Sequence, residues 1–184
     1  MKKVLTQWAA ACVVLMAGLG TAGAQAPAAG KLSGDVVRIG VLTDISGTYA
    51  DISGKGAVEA VKMAVEDFGG RMFGKPIEVV FADHQNKADV GAAKAREWFD
   101  AGGVDMINDL ANSGVALAVA GVAKEKKRHV IVNNSTDVGI TNAQCSPYAV
   151  HYTYDAYSLA HGTGRTIVEA GGDSWFFLTV DFAF

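Results

Sequence analysis

Cysteine is almost missing from this 184-residue chain, with only two present, Cys12 and Cys145. Charge is scarce too: Asp, Glu, Lys and Arg make up 19%, against 50% hydrophobic residues. That balance supports a buried core and argues against disorder. No basic run exceeds Lys126, Lys127 and Arg128, and the formal net charge is -3, so nucleic-acid binding has no electrostatic footprint. The triplet reads as the solvated end of a helix. Beyond residue 26 the P-loop, the G-x-G-x-x-G fingerprint and the G-x-S-x-G elbow do not occur. His84, His129, His151 and His161 are scattered, and none has a second ligand at metal spacing, so no metal and no cofactor are expected. The carboxylates form no recognisable acid/base pair, which leaves catalysis without a positive signal and the catalytic set empty.

What is present begins with a leader. Lys2 and Lys3 precede an apolar stretch at 8–19, followed by small residues with A-x-A patterns at 22–24 and 24–26. This is a secretory signal peptide over 1–26. The apolar stretch is shorter than the roughly 20 residues a transmembrane helix needs, and no later segment qualifies. Cys12 lies inside the leader, with Ala9 where a lipoprotein signal wants Leu. The mature chain is therefore expected to be exported, periplasmic and without membrane insertion. Losing Lys2 and Lys3 leaves 14 basic against 19 acidic residues, a balance of -5. Cys145 then stands alone, either as a buried inert thiol or as one whose partner lies in sequence not present here.

After a flexible lead-in at 27–35, strand and helix signals alternate. Residues 36–42 form a mostly apolar run, as for a strand buried on both faces. Residues 43–53 are rich in Gly, Ser, Thr and Asp and read as a loop. A helix is predicted over 54–68, with Val61, Ala64, Val65 and Phe68 on one stripe and Gly69 and Gly70 ending it. The alternation continues with a strand at 77–82, a helix at 87–101, a short strand at 104–107, a helix at 113–124 and a strand at 129–132. A polar segment over 133–147, an extended piece over 148–154, a helix over 158–170 and a strand over 174–180 complete it. The fold class is α/β, a parallel sheet flanked by helices with right-handed crossovers.

In such sheets ligands bind beyond the carboxyl ends of the strands. That rule selects the loops at 43–53, 83–86, 108–113 and 133–141. Asn112 and Ser113 sit where the third helix starts. Ser113 reads equally as a plain N-cap or as one edge of a carboxylate site built on free N–H groups and the helix dipole. Asn134, Ser135 and Thr136 follow a strand at its carboxyl end and read either as polar ligand contacts or as a turn and cap. Tyr49, in the first loop, reads as a pocket wall or as a loop aromatic.

The motifs RIGVLTDISGTY at 38–49, AVED at 64–67, GVDMI at 103–107, the Asn112–Ser113 helix start and VIVNNST at 130–136 together carry a resemblance. In order and spacing they resemble the ABC-transporter substrate-binding proteins of the branched-chain amino-acid group, with the type I periplasmic binding fold. The resemblance implies two lobes, the first complete over 36–154 and the second only begun over 155–184. It implies that Ser113 and Thr136 hold a ligand carboxylate, that the Asn134 carbonyl takes an amino group and that Tyr49 covers the ligand. Tyr154 and Phe184 fall where hinge or second-lobe contacts are expected. The implied partners are a small-molecule ligand and a membrane permease, and a monomer is expected. Asn134 and the aromatic crossing, Tyr148, Tyr152, Tyr154 and Tyr157, depart from the amino-acid binders. An aromatic acid or amide therefore stands beside an amino acid as ligand. A ligand-sensing domain of the same fold and a secreted hydrolase using Ser113 are the alternatives.

Overall fold

The structure, a computed structural model, describes residues 34–179 and 181. The leader, most of the lead-in, Val180 and Phe184 lie outside the described residues, so the readings placed on them stay expectations. Six strands form one sheet in the order β2-β3-β1-β4-β5-β6. They are β1 (Val37–Thr43), β2 (Arg71–Met72), β3 (Lys75–Asp83), β4 (Met106–Asp109), β5 (His129–Val132) and β6 (Ala149–His151). Every pairing is parallel except β2 with β3, a short hairpin the hydropathy pattern does not reveal. Gly74, with φ 81° between those two strands, takes a turn conformation that suits glycine.

Among the described residues, α1 (Gly54–Asp67), α2 (Ala88–Asp100) and α3 (Ser113–Lys126) lie between strands, and α4 (Ala156–Glu169) follows β6. One face of the sheet meets α2 and α3 in a continuous core. Leu42, Ile107, Leu110, Val130 and Val132 from the sheet side pack with Ala95, Trp98, Phe99, Val115, Val119 and Val122. Close approach is built into this core. A Cβ on Gly40 would stand 2.6 Å from the Trp98 ring, and one on Gly91 would stand 2.7 Å from Val115. Glycine at these two points lets the Trp98 ring lie on β1 and lets α2 reach α3.

The predicted apolar stripe on the first helix is in place but not in a core. Val61, Ala64, Val65 and Phe68 line an open groove with Ile39, Met72, Ile77, Met106 and Ile131. Phe68 stays exposed. A 3.6-residue periodicity reports which face is apolar and not what covers it.

The last segment also differs from expectation. The helix begins at Ala156 and not Ser158, because Asp155 caps it: the Asp155 carboxylate accepts from the Ser158 N–H at 2.8 Å, and Ser158 reciprocates. No strand forms over 174–179, where Phe176 and Leu178 are exposed. A strand needs a neighbour to complete its hydrogen bonds, and no described strand lies beside this segment. None of the described helices is long and apolar enough to cross a membrane.

Candidate functional site

The carboxyl ends of β1, β3, β4 and β5 converge on one side of the sheet, and a cleft opens there. It has a volume of about 210 Å³ and is lined by Tyr49, Ile52, Ala111, Ser113, Asn134, Ser135, Thr136, Tyr154 and Leu159. Six of these nine, Tyr49, Ser113, Asn134, Ser135, Thr136 and Tyr154, are residues that sequence reasoning singled out. Ile52, Ala111 and Leu159 were missed. Ile52 and Ala111 lie in loops already selected by the strand-end rule, but an apolar loop residue carries no chemical signal. Leu159, on α4, comes from an element 23 residues beyond Thr136 that only the chain's return brings near.

The start of α3 is built differently from the expectation. Asn112, not Ser113, is the N-cap: its Oδ1 accepts from the Val115 N–H at 3.0 Å, and its Nδ2 donates to Asn86 Oδ1 at 2.6 Å. Asn112 is committed to that role and does not line the cleft. Ser113 is thereby the first helical residue. Its side chain is freed from capping and receives a hydrogen bond from Ser135 Oγ at 2.9 Å. Both serines are buried. The cap and the Asn112 carbonyl satisfy the Val115 and Ala116 N–H groups, while those of Ser113 and Gly114 keep the unpaired character of a helix start. The cleft thus has hydroxyls and a helix dipole, and its lining contains no charged residue.

The floor and rim are held by backbone bonds. His151 Nε2 donates to the Ser135 carbonyl at 2.6 Å, and the Ala156 N–H donates to the Thr136 carbonyl at 2.8 Å. Asn134 Nδ2 donates to the Ile52 carbonyl at 3.2 Å, so its amide ties the first loop to the fourth. Behind the cleft lies a polar cluster. The Asp109 carboxylate accepts from Ser53 Oγ, whose oxygen lies 2.8 Å from Thr43 Oγ1. Burial pushes the Asp109 carboxyl up, against the Ser53 and Thr43 hydrogen bonds that favour its charged form. Asp109 and Leu110 both take left-handed backbone, φ 90° and 64°, where β4 turns toward α3. Such conformations persist where the surroundings over-determine them: the Leu110 N–H bonds the Leu42 carbonyl, and the Asp109 carbonyl accepts from Asn133. Tyr49 is half-buried at the rim. Burial, aided by the nearby Asp44 carboxylate, pushes its hydroxyl up and keeps it a neutral donor.

A mostly parallel sheet flanked by helices, with a small uncharged cleft past its strand ends, defines a ligand-binding α/β protein of the type I periplasmic binding fold. Comparison with known proteins makes this specific. A family model described as periplasmic binding protein matches residues 36–184, and the chain belongs to that family.

A periplasmic binding protein from Burkholderia mallei is 57% identical, with a TM-score of 0.79; the match covers 82% of this chain and 40% of that one. A branched chain amino acid ABC transporter periplasmic ligand-binding protein from Burkholderia xenovorans LB400 is 41% identical, with a TM-score of 0.69, over 73% of this chain and 36% of that one. An ABC-transporter solute-binding protein from Rhodopseudomonas palustris BisB5, solved in complex with 3,4-dihydroxy benzoic acid, is 26% identical. Its TM-score is 0.69, over 75% of this chain and 37% of that one. The chain thus spans at most 40% of the length of these three. No match was found among curated proteins.

Proposed function

We propose that this chain carries the ligand-capturing first lobe, over 36–154, and the start of the second lobe of an exported receptor for an ABC importer, taking a small carboxylate- or amide-bearing metabolite. The observation that carries the reading is the cleft at the start of α3. Ser113, Ser135 and Thr136 offer hydroxyls around a helix N-terminus, with no acidic side chain in the lining to repel an anion. Tyr49, Ile52, Tyr154 and Leu159 supply apolar walls for the ligand's body. A small carboxylic acid with an aromatic or branched body, with or without an α-amino group, suits these hydroxyls and walls. The Rhodopseudomonas palustris relative with its dihydroxybenzoic acid supports the same class.

Capture is completed when a second lobe closes over the ligand and the closed receptor docks on a permease. Closure removes water from the polar head, so the serine and threonine bonds must be complete by then. Delivery to the periplasm rests on the leader at 1–26. Binding without turnover is favoured over hydrolysis because Ser113 Oγ meets another serine, whereas His151 is occupied by a backbone carbonyl.

A thermal-shift screen of the full-length receptor tests this against amino acids, aromatic acids, amides and dicarboxylates at about 10 mM. For a dissociation constant of about 1 mM, the native state gains about 1.4 kcal/mol, which raises the melting temperature of a domain this size by about 3 °C. A screen in which no carboxylate shifts the transition removes the assignment of Ser113 and Thr136.

A further inference from the structure

The loop that carries Tyr49 and Ile52 contains no regular secondary structure beyond turns, yet it is tied down along its length. The buried Asp44 carboxylate accepts from the Gly47 N–H at 2.8 Å and the Tyr49 N–H at 2.9 Å. Gly47 permits that closure, since a Cβ there would stand 2.5 Å from the Asp44 carboxylate. From β3, the Asp83 carboxylate accepts from the Ile45 N–H at 3.0 Å, Ser46 Oγ at 2.6 Å and the Gln85 N–H at 2.7 Å. Asn134 and the Ser53–Asp109 contact fasten the far end.

We propose that Asp83, acting with Asp44, is a positioning residue for the cleft: it sets the Tyr49 loop in its ligand-facing place before a ligand arrives. Neither carboxylate lines the cleft, so both act through the loop backbone. The two strand ends β1 and β3 are adjacent in register, Thr43 beside Asp83, which brings a β3 carboxylate under the loop leaving β1. Order present in the free protein is order the ligand does not have to impose, and that preorganisation is worth affinity. Burial opposes the charge on Asp83, but hydrogen bonds from Ser46, Ile45 and Gln85 outweigh it and hold the carboxyl below its ordinary value. Asp83 therefore keeps its charge in the neutral range.

The inference rests on the cleft being the ligand site, and two measurements keep the questions apart. Hydrogen exchange on the ligand-free chain compares wild type with Asp83→Ala. The Ile45, Gly47 and Tyr49 amides should exchange about tenfold faster or more in the variant, with the β1 and β4 amides unchanged. Unchanged loop protection overturns the proposal. If β1 protection is lost as well, Ser46→Ala, an exposed and gentler change, takes over the same comparison, and unchanged loop protection there overturns the proposal equally.

The second measurement is a double-mutant cycle with Tyr49→Ala, using 3,4-dihydroxybenzoate as probe. Asp83→Ala should weaken binding about tenfold when Tyr49 is present and less than about twofold when it is absent. Equal losses in both backgrounds show that Asp83 does not act through the Tyr49 wall, and sink the idea. Failure of the wild type to bind any carboxylate counts against the proposed function, while the exchange result still decides whether Asp83 sets the loop.

Discussion

Ser113 and Ser135 meet across the ends of two neighbouring connections, and their contact has two consequences. Replacing Ser113 with alanine removes a hydroxyl proposed to hold the ligand and also leaves the buried Ser135 Oγ without its partner. Leaving such a group unsatisfied costs about 1–3 kcal/mol, so urea unfolding of Ser113→Ala should shift by that amount. Calorimetry with whichever carboxylate the screen selects should show affinity falling about five- to tenfold. Preserved affinity would place the carboxylate elsewhere in the cleft. Asn112 illustrates how a short motif is divided between roles: two adjacent polar residues open the helix, one caps it and the other faces the cleft. Residue type alone does not say which is which, because Asn and Ser are both good caps.

At the scale of the element, glycine placement separates packing from mere flexibility. Gly40 sits in β1 under the Trp98 ring, while a Cβ added to Gly56 in α1 would meet nothing within 4 Å. Gly40→Ala should therefore destabilise by about 1–3 kcal/mol through overpacking. Gly56→Ala should instead leave stability unchanged or raise it by up to about 1 kcal/mol, the helix-propensity gain. Equal effects in urea midpoints would show that the Trp98 contact is not rigid. Strands and amphipathic helices were readable from hydropathy, as were the glycine stops after α1. Burial of the strands on both faces was not: Ile39, Ile77, Met106 and Ile131 border the open groove under α1. Nor was the β2–β3 hairpin, since two-residue strands leave too short a pattern. The strand expected over 174–180 is absent over its described part, 174–179, for the opposite reason: its residues suit a sheet, but no described neighbour is there to pair with.

Across the whole molecule, the pH response should centre on His84. This imidazole is fully buried; its Nδ1 accepts from the Asn86 N–H at 3.1 Å, and its Nε2 has no hydrogen-bond partner among the described residues. Burial pushes its pKa below the ordinary 6.5, although Asp44, Asp109 and Asp83 pull the other way. The unfolded chain takes up a proton near 6.5 where the folded chain does not. His84 thus contributes full stability above that value and loses it as pH falls below. Asp109 runs in the opposite sense: its raised carboxyl favours the fold at low pH, and that contribution fades as pH rises through the raised value. Denaturant midpoints taken between about pH 7 and 5 should fall more steeply for wild type than for His84→Asn, which keeps an acceptor for Asn86. Parallel curves for the two proteins would mean that His84 is solvated in the native state.

Much of this protein is local in origin and so was legible in its sequence. The alternating α/β class follows from periodicities of two kinds along the chain. The position of the cleft follows from the rule that parallel strands direct their loops to one edge, and four of the five polar candidates in those loops, Ser113, Asn134, Ser135 and Thr136, line it. The rest depends on distances that no local pattern encodes. The placing of Leu159 in the cleft, the pairing of Ser113 with Ser135 and the reach of Asp83 under the Tyr49 loop all join residues 22 to 110 positions apart. Such contacts exist because the sheet order β3-β1-β4-β5 sets strand ends side by side that are remote in the chain. The capping of α3 by Asn112 is local, but its choice over Ser113 is not: the Asn86 and Ser135 partners arrive from the loops after β3 and β5.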